Sequence, residues 1–142
     1  MIVDGRIPSA DALVGLYESV GWSEYVDQPD RLLAAVGGSL RVCTAWVGDR
    51  LIGLARVVGD GVSIVYLQDM LVHPELQRGG VGAELLRAVM GPYASVRQQV
   101  LLTDDQPGVR AFYEAMGFSE VSGLGLLAFA RLANQAGPPA SC

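Results

Sequence analysis

The stretch Gln77-Arg78-Gly79-Gly80-Val81-Gly82 decides how this chain is read. It lies between His73-Pro74 and the apolar run AELLRAVM, where Val81, Leu85, Ala88 and Val89 share one helical face. Three glycines in four residues are a costly opening for a helix, because glycine loses more backbone entropy on folding than any other residue. Two readings account for them. The glycines permit close helix–strand packing, or they clear the Cβ atoms that would hold an anion away from the open amides of a helix N-terminus. Arg78 at the rim would add a charge-assisted donor. The string is no dinucleotide fingerprint, since the G-x-G-x-x-G spacing after a first strand is missing. Nor is it a Walker A loop, which needs Gly-Lys-Ser/Thr.

Outward from the turn, VSIVYLQDMLV (62–72) reads as a long strand rich in β-branched and aromatic residues. Two further strand-like runs precede it, at 40–47 and 50–58, joined by the hairpin signal Gly48-Asp49. Nearer the start, Leu13, Leu16, Tyr17 and Val20 recur at helical spacing after Ser9, so 9–20 reads as a helix. A short second helix spans 29–36 and stops at Gly37-Gly38. Beyond the glycine turn, a helix over roughly 80–91, a strand at 97–103 and a helix at 107–116 ending on Gly117 follow in turn. Two short strands are expected near 118–121 and 124–131. The class is α/β of the α+β type: a mixed, mostly antiparallel sheet of about six or seven strands with helices on both faces. The segment from strand 62–72 to strand 97–103 should be a right-handed parallel crossover.

The 142 residues suit one domain, taken as 1–132, with a small polar tail at 133–142 expected to be disordered. A net charge of -5 without a basic stripe argues against nucleic acid as a partner. No run is apolar enough for a signal peptide or a membrane span. Cys43 and Cys142 make neither a metal spacing nor a disulfide framework, so a reducing cytoplasm and no metal are expected.

The motifs together resemble the GNAT superfamily of N-acetyltransferases. Its acetyl-CoA signature, Gln/Arg-x-x-Gly-x-Gly/Ala, is matched at every specified position by Gln77 to Gly82. The lead-in LQDMLVHPEL is similar to the family's strand and proline. Its second signature, a helix ending in F-Y-x-x-x-G-F, resembles Phe112-Tyr113-Glu114-Ala115-Met116-Gly117-Phe118. The likeness covers roughly 9–131.

That resemblance implies acetyl-CoA as co-substrate, its pyrophosphate over the amides of Arg78, Gly79, Gly80, Val81, Gly82 and Ala83, with Gln77 leading the motif. The pantetheine arm would run beside Met70, Leu71 and Val72, one of whose amides would polarise the thioester carbonyl. Tyr113 matches the family's general acid at the leaving thiolate, against the alternative of a core tyrosine with a tied hydroxyl. Gln106 stands where the family often has a cofactor-contacting asparagine, a departure in reach.

Asp69 is the candidate general base, since a carboxylate inside a strand of apolar residues needs a reason; a structural carboxylate at a bulge is the alternative. His73, the only histidine, reads as a loop residue. The resemblance implies an acceptor site walled by the first two helices and their connection, where Tyr17, Trp22 and Tyr25, interspersed with Glu18, Glu24 and Asp27, would suit an amine, or else anchor a loop to the core.

The leading expectation is therefore acetyl transfer to a primary amine of a small molecule by direct attack in a ternary complex, no cysteine being placed as an acetyl carrier. A protein or peptide amine, or a non-catalytic acyl-CoA sensor, are the alternatives. The apolar runs FSEV and LGLLAFAR also admit a homodimer.

Overall fold

The computed structural model describes residues 2–133; most of the expected tail, 134–142, lies outside them. They group into two compact units divided after Leu102. The first unit runs β1 (Ile2–Asp4), α1 (Ala10–Ser19), α2 (Ser23–Val26), α3 (Pro29–Gly37), β2 (Arg41–Val47), β3 (Arg50–Gly59), β4 (Ile64–Val72), α4 (Val81–Met90) and β5 (Gln98–Leu101). The second holds α5 (Pro107–Ala115) and a 3-10 turn at Val121–Leu124.

Local chemistry sets the element bounds. Ser9 caps α1, its hydroxyl accepting from the Ala12 amide at 3.2 Å. Pro29 and Pro107 occupy the first turns of α3 and α5, where a missing N–H costs nothing. Asp60 closes the turn between β3 and β4 by accepting from the amides of Val62, Ser63 and Ile64.

The sheet follows sequence order, β1-β2-β3-β4-β5, antiparallel throughout except for the parallel pair β4 and β5. α4 is the crossover between that pair. β3 is buried from Leu51 to Val57, as a strand covered on both faces must be. One face takes α1 and α3, whose Leu13, Leu16, Tyr17, Leu32 and Val36 pack on Val42, Leu51, Leu54 and Leu71. α4 presses Leu85, Leu86, Val89 and Met90 onto the other face. Gly53 lies under that contact: a Cβ there would sit 2.8 Å from Leu85 Cδ1 and make the Leu85 side chain shift.

Three expectations need correction. The described residues hold five strands, not six or seven. The stretches 118–121 and 124–131 form no strand, because their backbone finds no ladder partner; Val121–Leu124 is a 3-10 turn instead. In the other direction, β1 escaped notice, since three residues are too few to show alternation. Counting β1 makes 64–72 the fourth strand. Among the described residues no helix is long and apolar enough to cross a membrane.

Candidate functional site

The glycine turn and the strand that feeds it form one piece of structure. β4 ends at Val72, a 3-10 turn takes Pro74–Leu76, and the chain then bends through Gln77 to Gly80 into α4. Backbone and side-chain hydrogen bonds hold this connection. The His73 amide donates to Ile52 O at 2.7 Å, the Leu76 amide to His73 O at 2.9 Å, and Gln77 Nε2 back to Val72 O at 3.1 Å. Arg78 and Gly80 both adopt left-handed backbone, with φ of 72° and 83°. For arginine that conformation costs roughly 1–2 kcal/mol, strain of the kind that persists where a segment is shaped for a ligand.

What the bend presents is a bare helix end. The first α4 hydrogen bond runs from the Glu84 amide to Gly80 O, and Gly80 has no side chain with which to cap the amides before it. Gln77, Arg78, Gly79 and Gly80 are exposed, while Val81, Gly82 and Ala83 are half-buried. Beside it, β4 pairs with β5 only from Ile64 to Leu67. From Gln68 to Val72, within the first unit, the β5 side of β4 has no strand partner. Apart from Val72 O, which Gln77 Nε2 fills, a row of backbone donors and acceptors thus stands open next to a positive helix end.

Asp69 faces the other way. The β3–β4 register slips between Arg56 and Val57, leaving Gln68 as an extra residue that bulges β4. The bulge turns Asp69 to the same face as Leu71, opposite to Leu67, so an acid sits at a core position beside Arg56. Its Oδ2 accepts from Arg56 Nε at 2.6 Å and from the Tyr17 hydroxyl at 2.8 Å, and all three residues are no more than 5% exposed. Arg56 Nη1 also donates to Ala35 O and Ser39 Oγ, both at 3.3 Å, which ties the end of α3 into the network. Burial works against the guanidinium charge, yet the Asp69 carboxylate outweighs it and raises the Arg56 pKa. Burial, then the charge of Asp69, pushes the Tyr17 hydroxyl far above the usual tyrosine range.

Two expectations change accordingly. A general base needs a lone pair within reach of the proton that it takes. Asp69 is sealed in the core with one oxygen already accepting twice, so the structural reading fits it better. Tyr17, expected at an acceptor wall, is fully buried with its hydroxyl committed to Asp69. Arg56 was missed altogether. Its signal was a cation inside the apolar run LIGLARVV, one hairpin away from a lone anion in VYLQDMLV.

The model of the acetyltransferase (GNAT) domain family matches residues 38–120, more than half of the chain, from before β2 to beyond α5. This chain belongs to the GNAT acetyltransferase family. An uncharacterized ycf52-like N-acetyltransferase from Prochlorococcus marinus is 36% identical over 110 residues, 73% of this chain; the chain spans 59% of that protein's length. The solved structure of a GNAT family acetyltransferase from Streptococcus pneumoniae is 31% identical and superposes with a TM-score of 0.84, covering 95% of this chain and 98% of that one. An aminoglycoside 6'-N-acetyltransferase complexed with coenzyme A shares the fold, with 20% identity and a TM-score of 0.63 over 74% of this chain and 62% of that one.

The remaining candidates of this GNAT chain sit as follows. Trp22 and Tyr25 are half-buried and pack with Tyr17 in one aromatic cluster, centroids 5.2 to 6.4 Å apart. His73 is held in the loop, its Nδ1 accepting from the Glu75 amide at 3.2 Å. In the second unit, Tyr113 is half-buried between Phe112 and Phe118, both edge-on to it at 5.1 and 5.9 Å. Burial raises the pKa of its hydroxyl. Gln106 is the exposed N-cap of α5, and its side chain makes no capping bond.

Proposed function

We propose that this chain is an acetyl-CoA-dependent N-acetyltransferase that moves the acetyl group onto a primary amine of a small molecule, by direct attack while both substrates are bound. The observation that carries the reading is the bare α4 N-terminus lying beside the unpaired Gln68–Val72 edge of β4. The first suits a diphosphate, the second an extended arm bearing amides. The cradle also has room: a Cβ built on Gly80 meets nothing within 4 Å.

Bound there, acetyl-CoA would supply an activated acetyl thioester. The amides of Arg78 through Ala83 hold the pyrophosphate, with the Arg78 guanidinium at the rim. Backbone groups of Met70, Leu71 and Val72 align the pantetheine arm, and one amide among them donates to the carbonyl oxygen as negative charge builds there. As the amine nitrogen bonds to the carbonyl carbon and the C–S bond breaks, Tyr113 gives its hydroxyl proton to the leaving sulfur, and the proton that the amine sheds passes to solvent water. Gln106 offers the cofactor a side-chain amide. Trp22 and Tyr25 give the acceptor site an aromatic wall suited to a cationic amine. Asp69 acts through the strand that it braces, as a positioning residue. Residues 1–132 work as one acetyltransferase domain.

Thiol release from acetyl-CoA across a panel of small amines and basic peptides tests this. Release with at least one small primary amine is expected, and Tyr113→Phe should lower kcat by on the order of a hundredfold with coenzyme A affinity unchanged. Release with peptides alone would make the acceptor a peptide amine. Tight binding of acetyl-CoA without release to any amine would make the domain a sensor.

A further inference from the structure

The buried carboxylate of Asp69 is held by two donors that do different work. Arg56 stands directly across from it on β3, so that bond stays within the sheet. The Tyr17 hydroxyl comes from α1, fifty-two positions earlier, and reaches Asp69 on β4 at 2.8 Å. Among the described residues it is the only side-chain hydrogen bond between α1 and β4. Apolar packing is non-directional, whereas a hydrogen bond fixes a distance and an angle. The hydroxyl therefore sets where the helix layer sits on this strand.

Each end of the bond leads to one half of the reaction. At one end the Tyr17 ring packs on Trp22 and Tyr25, centroids 5.8 and 5.2 Å away, and the Trp22 amide donates to Tyr17 O at 3.1 Å. At the other end, Asp69 is next in the chain to Met70, Leu71 and Val72, within the stretch of β4 that has no β5 partner.

We propose that Tyr17 is a positioning residue for acetyl transfer: its hydroxyl, anchored on Asp69, sets the spacing between the aromatic wall that holds the amine and the strand that holds the thioester. This rests on the functional reading above and adds to it the residue that aligns the two substrates. Attack needs reacting atoms about 3–3.5 Å apart, and a misplacement of about 1 Å can cost a hundredfold in rate. Cutting the link leaves each substrate its own contacts, so the loss falls on kcat and not on binding. The loss also depends on the acceptor. An amine large enough to rest on Trp22 and Tyr25 is placed by the wall; methylamine is too small to be.

Steady-state kinetics of wild type, Tyr17→Phe and the core control Val42→Ala test this, with methylamine and with the best larger amine of the panel above, well below each melting temperature. Tyr17→Phe should lower kcat for the larger amine at least about tenfold, with its KM and the coenzyme A affinity within about twofold of wild type and methylamine turnover unchanged. Val42→Ala, which shortens a buried side chain on β2, should keep kcat for both amines. Hydrogen exchange on wild type needs no variant to fold: without acetyl-CoA, saturation with the larger amine should slow exchange at Met70 to Val72. An active wild type would overturn the inference alone if Tyr17→Phe keeps kcat, loses it equally for both amines or loses binding instead, if Val42→Ala loses as much, or if exchange at Met70 to Val72 is unmoved. A wild type inactive with every amine would overturn the functional reading and this inference with it.

Discussion

The turn at Gln77–Gly80 and the charge network of Arg56, Asp69 and Tyr17 lie in one unit and handle polar groups in opposite ways. The turn leaves backbone amides exposed and uncapped and holds Arg78 in a strained conformation. The network hides two full charges in the core and satisfies them with one another, a hydroxyl, a carbonyl and a serine. Open polar groups cost stability and keep capacity for a ligand. Closed ones give a fixed geometry and leave nothing to offer. The difference sorts the acids and bases of this chain: chemistry is to be sought at the first region and bracing at the second.

Breaking the network should have the largest effect. Arg56→Met strands the Asp69 carboxylate in the core and should destabilise the fold by about 3–5 kcal/mol. The double variant Arg56→Met, Asp69→Leu should recover much of that loss, both read from urea denaturation midpoints. A single variant as stable as wild type would mean that the network braces nothing.

Tyr17→Phe is the gentler version. Removing a hydrogen bond to a charged acceptor should cost about 1.5–3 kcal/mol. It should also change the alkaline behaviour. Near neutral pH the hydroxyl is protonated in both the folded and the unfolded chain. Above its ordinary pKa of 10.0 the unfolded chain releases the proton and the folded chain keeps it, so stability falls as pH rises. That decline should reach about 1.4 kcal/mol per pH unit from this group, and it should be absent in Tyr17→Phe. Identical slopes for the two proteins would remove Tyr17 from the account.

The smallest expected effect on stability is at the turn. Arg78→Gly relieves the left-handed arginine at the cost of a freer unfolded chain, for a net change on the order of 0.5 kcal/mol. Coenzyme A affinity should nevertheless fall about tenfold with the lost charge-assisted bond. If affinity is retained, the strain at Arg78 serves some other end.

Much of the first unit was legible because its signals are local. Ser9 marks the start of α1, Gly48-Asp49 joins β2 to β3, and the glycines open α4, each within a few residues of where structure puts it. What failed depended on partners distant in sequence. The role of Asp69 is set by Arg56, thirteen positions away across a hairpin, and by Tyr17, fifty-two positions away on α1. The run LGLLAFAR has the composition of a strand, but a strand exists only where an edge receives it. The glycine turn was readable as a site because a helix end binds anions with its own backbone and needs no distant partner.

The most direct test of the central claim is calorimetric titration of acetyl-CoA and coenzyme A into wild type and Gly80→Glu, with the melting temperature of each apo protein measured alongside. The account predicts binding by wild type, and no detectable binding by a Gly80→Glu protein that still unfolds cooperatively, because a carboxylate then occupies the open space before α4. Undiminished binding by that folded variant would contradict the α4 N-terminus as the coenzyme A site.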